Sequence, residues 1–314
     1  MRGQTRGPAV RALRVAILFC VTAGVAATLS MAQTPECDRA CLGALAEQYL
    51  DALVAHAPDS LPWADQVRFS ENDVGLMIGE GLWGTATRVL PGYTIAEPAS
   101  GNVLWLGIVE EHGQAAYLAL RIRVDGRRIA DVETVLGRDG PPAPFADPAG
   151  YAPDPVFGRQ VPERNRAARA RIESLVAGYY ASVQLNDGTV QTQIADGCER
   201  LTNGESTTRG EGIDVEGCRQ QLAAGWYRYV DRVRSLRIPI IDEARGVAVA
   251  FAYLDHAARA VDFETADGRT RRIPVEYPNS HAVVELFKIE DGMITRIEGV
   301  TAFQPYLMPT RWVP

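Results

Sequence analysis

Apolar residues recur at helical spacing in two places along this chain. The first set is Leu42, Leu45, Tyr49 and Leu53; the second is Ile172, Leu175, Tyr179 and Val183. Steps of three and four residues put each set on one face of a helix. Downstream of both helices the pattern changes to strand-like runs. Strands are expected at 103–111 and 115–124, joined by a tight turn at His112, Gly113 and Gln114. The stretches "LRIRVDGRRIADVETV" and "LFKIEDGMITRIEGV" each set an Asp-Gly turn between apolar strands, a hairpin pattern. Each half therefore reads helix, short strand, Gly-punctuated turn, helix, then strands joined by hairpins.

The halves also match residue by residue. "ADQVRFSENDVGLMIGEGL" (64–82) and "ADGCERLTNGESTTRGEGI" (195–213) align without a gap, 131 residues apart. Asn72 falls on Asn203, and Gly79, Glu80 and Gly81 fall on Gly210, Glu211 and Gly212. Further on, Gly101 faces Gly246. Between the halves, residues 139–162 hold seven prolines in 24 positions. Proline fixes φ and removes backbone donors, so this segment reads as a stiff linker and not as a core element. The expected plan is a first repeat at 37–138, a linker at 139–162, a second repeat at 163–304 and a tail at 305–314.

A helix lying across a curved, mostly antiparallel sheet is an α+β unit. The order of elements, the "GEG" turn leading into a helix and the final "DGxI" hairpin resemble the NTF2-like (SnoaL-like, cystatin-type cone) superfamily, in tandem. "VRFSEN…GEGLW" with the closing "PYLMPTRW" further resembles an uncharacterised family of exported bacterial and fungal proteins. The resemblance implies two cones, each with a pocket between helix and sheet. Relatives of this fold include dehydratases, isomerases, epoxide hydrolases and binding modules, so the fold does not choose a function.

Composition changes the picture at the amino terminus. Residues 1–32 carry Arg2, Arg6, Arg11 and Arg14, then "VAILFCVTAGVAATLS" and the small residues Ser30 and Ala32. This reads as a secretory signal cleaved after Ala32, since 16 apolar residues fall short of the roughly 20 that span a membrane. A periplasmic or secreted protein with no stable span after processing is the expectation. Beyond it lie 28 basic against 39 acidic residues, with Lys288 the only lysine, and no basic cluster to suggest nucleic acid as a partner. Four cysteines remain in an oxidising setting, favouring the local disulfides Cys37–Cys41 and Cys198–Cys218 over a zinc site. No phosphate loop, GxSxG or HExxH occurs, and no cofactor or metal is expected.

Candidate chemistry comes from the difference between the halves. The turn at 112–114 is expanded to 257–280 in the second repeat, a prospective lid. Carrying the first register over, Glu111 opposite Ala115 becomes His256 opposite His281. With period two, His281, Val283, Glu285 and Phe287 share a face, opposite the small Ala250 and Ala252. His281, His256 and Glu285 are therefore the candidate acid–base residues for a cofactor-independent lyase, dehydratase or isomerase acting on a small organic molecule. His281 and Glu285 stand roughly 13 Å apart along the strand and do not form a dyad. Candidate ligand contacts are Phe287, Trp226 and Asn203, with Tyr253 and Asp255 as the set on the other face. Asn72 and Asn203 also fit Asx turns that bond their own backbone. The first repeat, with Ala115 and Ala119 in place of His281 and Glu285, reads as a structural copy paired side to side with the second in an intrachain pseudo-dimer. A non-catalytic binder and an envelope interaction module are the alternatives.

Overall fold

The computed structural model describes residues 37–312 except 141–143, 211–212 and 274. The expected export signal and its cleavage position lie outside the described residues. The first unit runs α1 (Arg39–Val54), β1 (Trp63–Glu71), β2 (Val74–Gly75), β3 (Ala86–Glu97), β4 (Asn102–Glu111), β5 (Gln114–Asp125) and β6 (Arg128–Arg138). The second runs α2 (Arg169–Leu185), β7 (Ile194–Thr202), β8 (Glu205–Ser206), α3 (Cys218–Ala223), β9 (Arg232–Asp242) and β10 (Val247–His256). It ends with the small hairpin β11 (Asp262–Glu264) and β12 (Thr270–Arg272), then β13 (Asn279–Glu290) and β14 (Met293–Pro305).

The strand orders are β2-β1-β6-β5-β4-β3 and β8-β7-β14-β13-β10-β9. In each six-stranded sheet the first long strand lies parallel to the last, β1 on β6 and β7 on β14, and the other pairs are antiparallel. The protein is α+β, with two mixed sheets built on one plan.

Both long helices bury the stripe their sequences predict. Leu42, Leu45, Tyr49 and Leu53 pack on one face of the first sheet, and Ile172, Leu175, Tyr179 and Val183 on one face of the second. Asp38 caps α1 by accepting from the Cys41 amide at 2.9 Å. Asn186 ends α2 in the left-handed conformation, φ 52°. The remaining face of each sheet packs on the other: Leu104, Leu106 and Ile108 meet Val247, Val249 and Phe251 in one apolar cluster. Strands covered on both sides explain the near-continuous apolar runs "VLWLGIV" and "VAVAFAYL". The pairing is thus face to face rather than side to side, in four layers: helix, sheet, sheet, helix.

The proline-rich segment does more than span the units. Phe157 and Val161 are fully buried, and Phe157 stacks on Tyr93 with ring centroids 5.5 Å apart. Lys288, also fully buried, donates through Nζ to the carbonyls of Arg159 and Arg245. The segment therefore contributes to the core, against the expectation from proline content. Apolar residues set between the prolines bury themselves over the junction of the sheets. The tail crosses to the first unit as well, where the Trp312 indole donates to Ser70 at 2.9 Å beneath the guanidiniums of Arg68 and Arg121. Disulfides join Cys37 to Cys41 and Cys198 to Cys218, with Cα atoms 5.2 and 5.5 Å apart.

Candidate functional site

The register of β10 on β13 decides which side chains meet. Ala250 pairs with Glu285, Ala252 with Val283, Leu254 with His281 and His256 with Asn279. His256 is therefore not opposite His281. Strand β13 starts at Asn279 rather than His281, which shortens the lid by two residues and moves the histidines to diagonal positions on one face. The equivalence of the halves shifts too. Trp105 pairs with Leu120 and Val109 with Ala116 in the first sheet. Anchored on Gly101 and Gly246, the counterparts of Glu285 and His281 are Leu120 and Ala116, not Ala119 and Ala115.

That face lines one of two adjoining chambers, which share wall residues. The inner chamber, about 130 Å³, is lined by His281, Glu285, Val283, Leu254, Phe303 and the side chains of β7 and β14. The outer one, about 310 Å³, is walled by Trp226, Phe263, Arg271 and Arg272. Pro144, Arg200, Thr207, Tyr227 and Tyr229 border both, so the linker closes one side of the cavity and the β11–β12 hairpin of the lid another.

Glu285 accepts a hydrogen bond from the Tyr180 hydroxyl at 2.6 Å, and its other oxygen lies 4.0 Å from Arg200. Burial pushes its carboxyl above the usual range, against the opposing pull of Arg200 and Tyr180. His281 Nε2 is buried and has no hydrogen-bond partner, while the ring packs on Phe303 at 4.3 Å. Burial, helped by His256 and opposed by Asp255, pushes the imidazole down to about 3, so it is neutral at neutral pH.

His256 has a different place. Its Nδ1 and Nε2 lie 2.7 and 2.8 Å from the carbonyl oxygens of Tyr229 and Val275. The ring thus sits between the lid and the loop before β9, donating from whichever nitrogen carries the proton. Asp255 is wholly buried, accepting from Arg232, Arg234 and Ser280 on the face between the sheets. Tyr253 lies on that same far side under the Arg234 guanidinium, 4.1 Å above its ring. Phe287 is core, between the rings of Tyr179 and Tyr180. Trp226 does line the outer chamber.

Asn203 and Asn72 sit at φ 45° and 47°, the left-handed conformation that the turn reading requires. Their side chains, however, bond the neighbouring strand and not their own backbone. Asn72 Oδ1 accepts from the Leu136 amide at 2.8 Å, and Asn203 Oδ1 from Thr301 at 3.0 Å. Asn203 also donates to the Pro144 carbonyl at 3.0 Å, which holds the linker against the cavity without placing the amide in it.

Arg200 is the residue the sequence reading missed. It donates to Thr207 Oγ1 at 2.9 Å and the Tyr179 hydroxyl at 3.1 Å, and its guanidinium stands 5.0 Å over the Tyr227 ring. The signal was present in the gapless match, where Arg200 falls on Phe69, a core residue of the first repeat. Among the described residues no group of three or more His, Cys, Asp or Glu side chains is placed to hold a metal ion.

Strand order, the parallel closing pair and the helix across each sheet are now in place. The chain is a tandem of two α+β units on one plan, the two cones of the sequence reading. Residues 165–301, the second cone, match the model described as "Domain of unknown function (DUF8021)". By sequence the chain matches none of the curated proteins. Among solved structures it is similar to a candidate polyketide cyclase from Xanthomonas campestris pv. campestris (18% identity, 42% of this chain and 90% of that one, TM-score 0.29). It is also similar to a candidate isomerase from Bacillus subtilis (11%, 42% and 87%, TM-score 0.29). A third similarity is to an NTF2-like protein from Cytophaga hutchinsonii ATCC 33406 (14%, 43% and 99%, TM-score 0.27).

Proposed function

We propose that this is an exported protein whose second NTF2-like cone binds a small, partly apolar organic molecule and transforms it by acid–base chemistry, as a cofactor-independent lyase, dehydratase or isomerase. The observation that carries the reading is the pairing, in one cavity, of a buried imidazole nitrogen without a partner and a buried carboxyl disposed to keep its proton. A carboxyl whose hold on its proton is strengthened by burial is suited to give that proton to a leaving group or a developing oxyanion. A neutral imidazole at the other end can bond a carbonyl or hydroxyl, or accept a proton once a bound group raises its basicity. His256 serves this site as a positioning residue, between the lid and the loop before β9. Export rests on the leader sequence and the two disulfides.

A binding role without catalysis is supported by one specific feature. An imidazole pushed down to about 3 is a weak base. The substitutions His281→Ala and Glu285→Gln separate the readings when binding and turnover of hydroxy- and keto-compounds are both followed. An enzyme keeps binding and loses turnover by tenfold or more in Glu285→Gln. A binder shows no turnover at any stage and loses affinity alone. If neither variant changes binding or turnover for any compound, the cone is not the functional site.

A further inference from the structure

The outer chamber specifies the ligand more narrowly, given the pocket reading above. Two of its walls are donors with nothing to donate to. Trp226 Nε1 and Arg271 Nε are buried and without hydrogen-bond partners. Both are donors only, so what complements them is an acceptor oxygen. The Arg271 guanidinium stacks 3.9 Å over the Trp226 ring, close enough for one group with two acceptor oxygens to serve both. A buried N–H left unpaired destabilises the protein, and a ligand acceptor would remove that cost.

Charge points the same way. Among the described residues, those lining the outer chamber include Arg200, Arg271 and Arg272 against one acid, Glu205. Two further acids stand outside the lining, Asp214 on Arg271 and Glu276 on Arg272. With those guanidiniums already partly compensated, the chamber suits a single negative charge better than a dianion. The inner chamber sets the size of the other end. Its volume of about 130 Å³ is close to that of an apolar cavity of roughly 150 Å³ that takes up benzene.

We infer that the cone takes an organic carboxylic acid with a compact, ring-sized apolar body. Its carboxylate lies in the outer chamber against Trp226 Nε1 and Arg271 Nε, and its body passes Arg200 into the inner chamber. There its far end meets His281 and Glu285. The anionic head fixes orientation, and the chemistry of the proposed function falls on the atoms farthest from it.

The test is calorimetric titration of the mature protein with matched pairs: benzoate, phenylacetate, 3-phenylpropionate and cyclohexanecarboxylate, each beside its primary amide. The expected result is that at least one acid binds tenfold or more tighter than its amide. Arg271→Gln should bring that acid down to the affinity of its amide and leave the amide unchanged. Trp226→Phe, which keeps the ring and removes the N–H, should weaken the acid severalfold and serves if the arginine variant does not fold. Amides binding as tightly as acids would overturn the carboxylate inference and leave the pocket reading standing. If no member of either series binds, both are overturned.

Discussion

The two cones are built on the same strand order and central register, yet one packs an apolar cluster where the other holds a cavity lined by charged groups. In the first, Trp105 lies opposite Leu120, with Phe69 on the neighbouring strand pair and Ala116 near the turn, all within one apolar cluster. In the second, the same positions hold Ala250, Glu285, Arg200 and His281. One large-to-small exchange makes space, and three apolar-to-polar exchanges line it. The shared apolar interface of the cones, Leu104 to Ile108 against Val247 to Phe251, lets the first unit brace the second. Duplication followed by unequal loss of packing is a direct route to a pocket without a loss of fold.

Hollowing the first cone should therefore cost most. Trp105→Ala removes a side chain 5% exposed from a closed core, and large-to-small changes of this kind cost about 3–5 kcal/mol. Chemical denaturation followed by far-UV circular dichroism measures the loss. A cost under 1 kcal/mol would mean the first cone is not the solid partner. Next comes the buried pair in the hollow cone. Arg200→Phe alone leaves Glu285 and the tyrosines without their cation and should cost about 3 kcal/mol. Arg200→Phe with Glu285→Leu copies the first cone and should come back to within about 1 kcal/mol of the parent while losing ligand binding. A double variant no more stable than the single would show that the two residues are not coupled.

How much of this could be read from the sequence follows from what each feature depends on. The two long helices, the hairpins and both disulfides were legible, because spacing, Asp-Gly turns and cysteine separation are local; the second helix expected in the first half is only a 3-10 turn at Gly81–Gly84. The face carrying His281 and Glu285 was legible as well, because alternation fixes which residues share a side. The histidine register was not. It turned on whether Asn279 and Ser280 belong to the lid or to β13, and strand ends are set by pairing rather than by local composition. Arg200 was overlooked because a lone arginine in a strand looks solvated until its counterpart Phe69 is seen in the core. The linker misled for a related reason. Proline content describes a backbone, while Phe157 and Val161 between the prolines describe a surface that has to be buried.

The disulfides offer a smaller contrast. Removing Cys198–Cys218 with paired alanines opens a loop of about 20 residues and should cost roughly 3 kcal/mol; removing Cys37–Cys41 opens a single turn and should cost roughly 2. Urea midpoints of the two variants decide the order, and equal losses would mean that loop length does not govern the effect.

The smallest expected effect compares one glutamate in each sheet. Glu133 and Glu298 occupy equivalent places on β6 and β14, on the faces that meet between the sheets. Glu133 is held by two guanidiniums, Arg121 at 2.8 Å and Arg237 at 2.6 Å. Glu298 has Tyr151 at 3.2 Å instead, under the linker, and burial pushes it up to about 7. Below pH 4.5 the carboxyl is protonated whether the chain is folded or not, and it adds no pH dependence. Between pH 4.5 and 7 the unfolded chain releases the proton while the folded one keeps it, so stability falls as pH rises. Above 7 the loss is complete and constant. The full shift corresponds to roughly 3 kcal/mol, and replacing one carboxyl oxygen by an amide forfeits about 1 kcal/mol of hydrogen bonding. Glu298→Gln should accordingly be about 2 kcal/mol more stable than the parent at pH 8, slightly less stable at pH 4, and flatter in between. Parallel denaturation curves at pH 4, 6 and 8 test this. Curves for parent and variant that keep the same separation at every pH would mean that Glu298 ionises in the folded protein as readily as in the unfolded one, and that its tyrosine and the linker shelter it no better than water does.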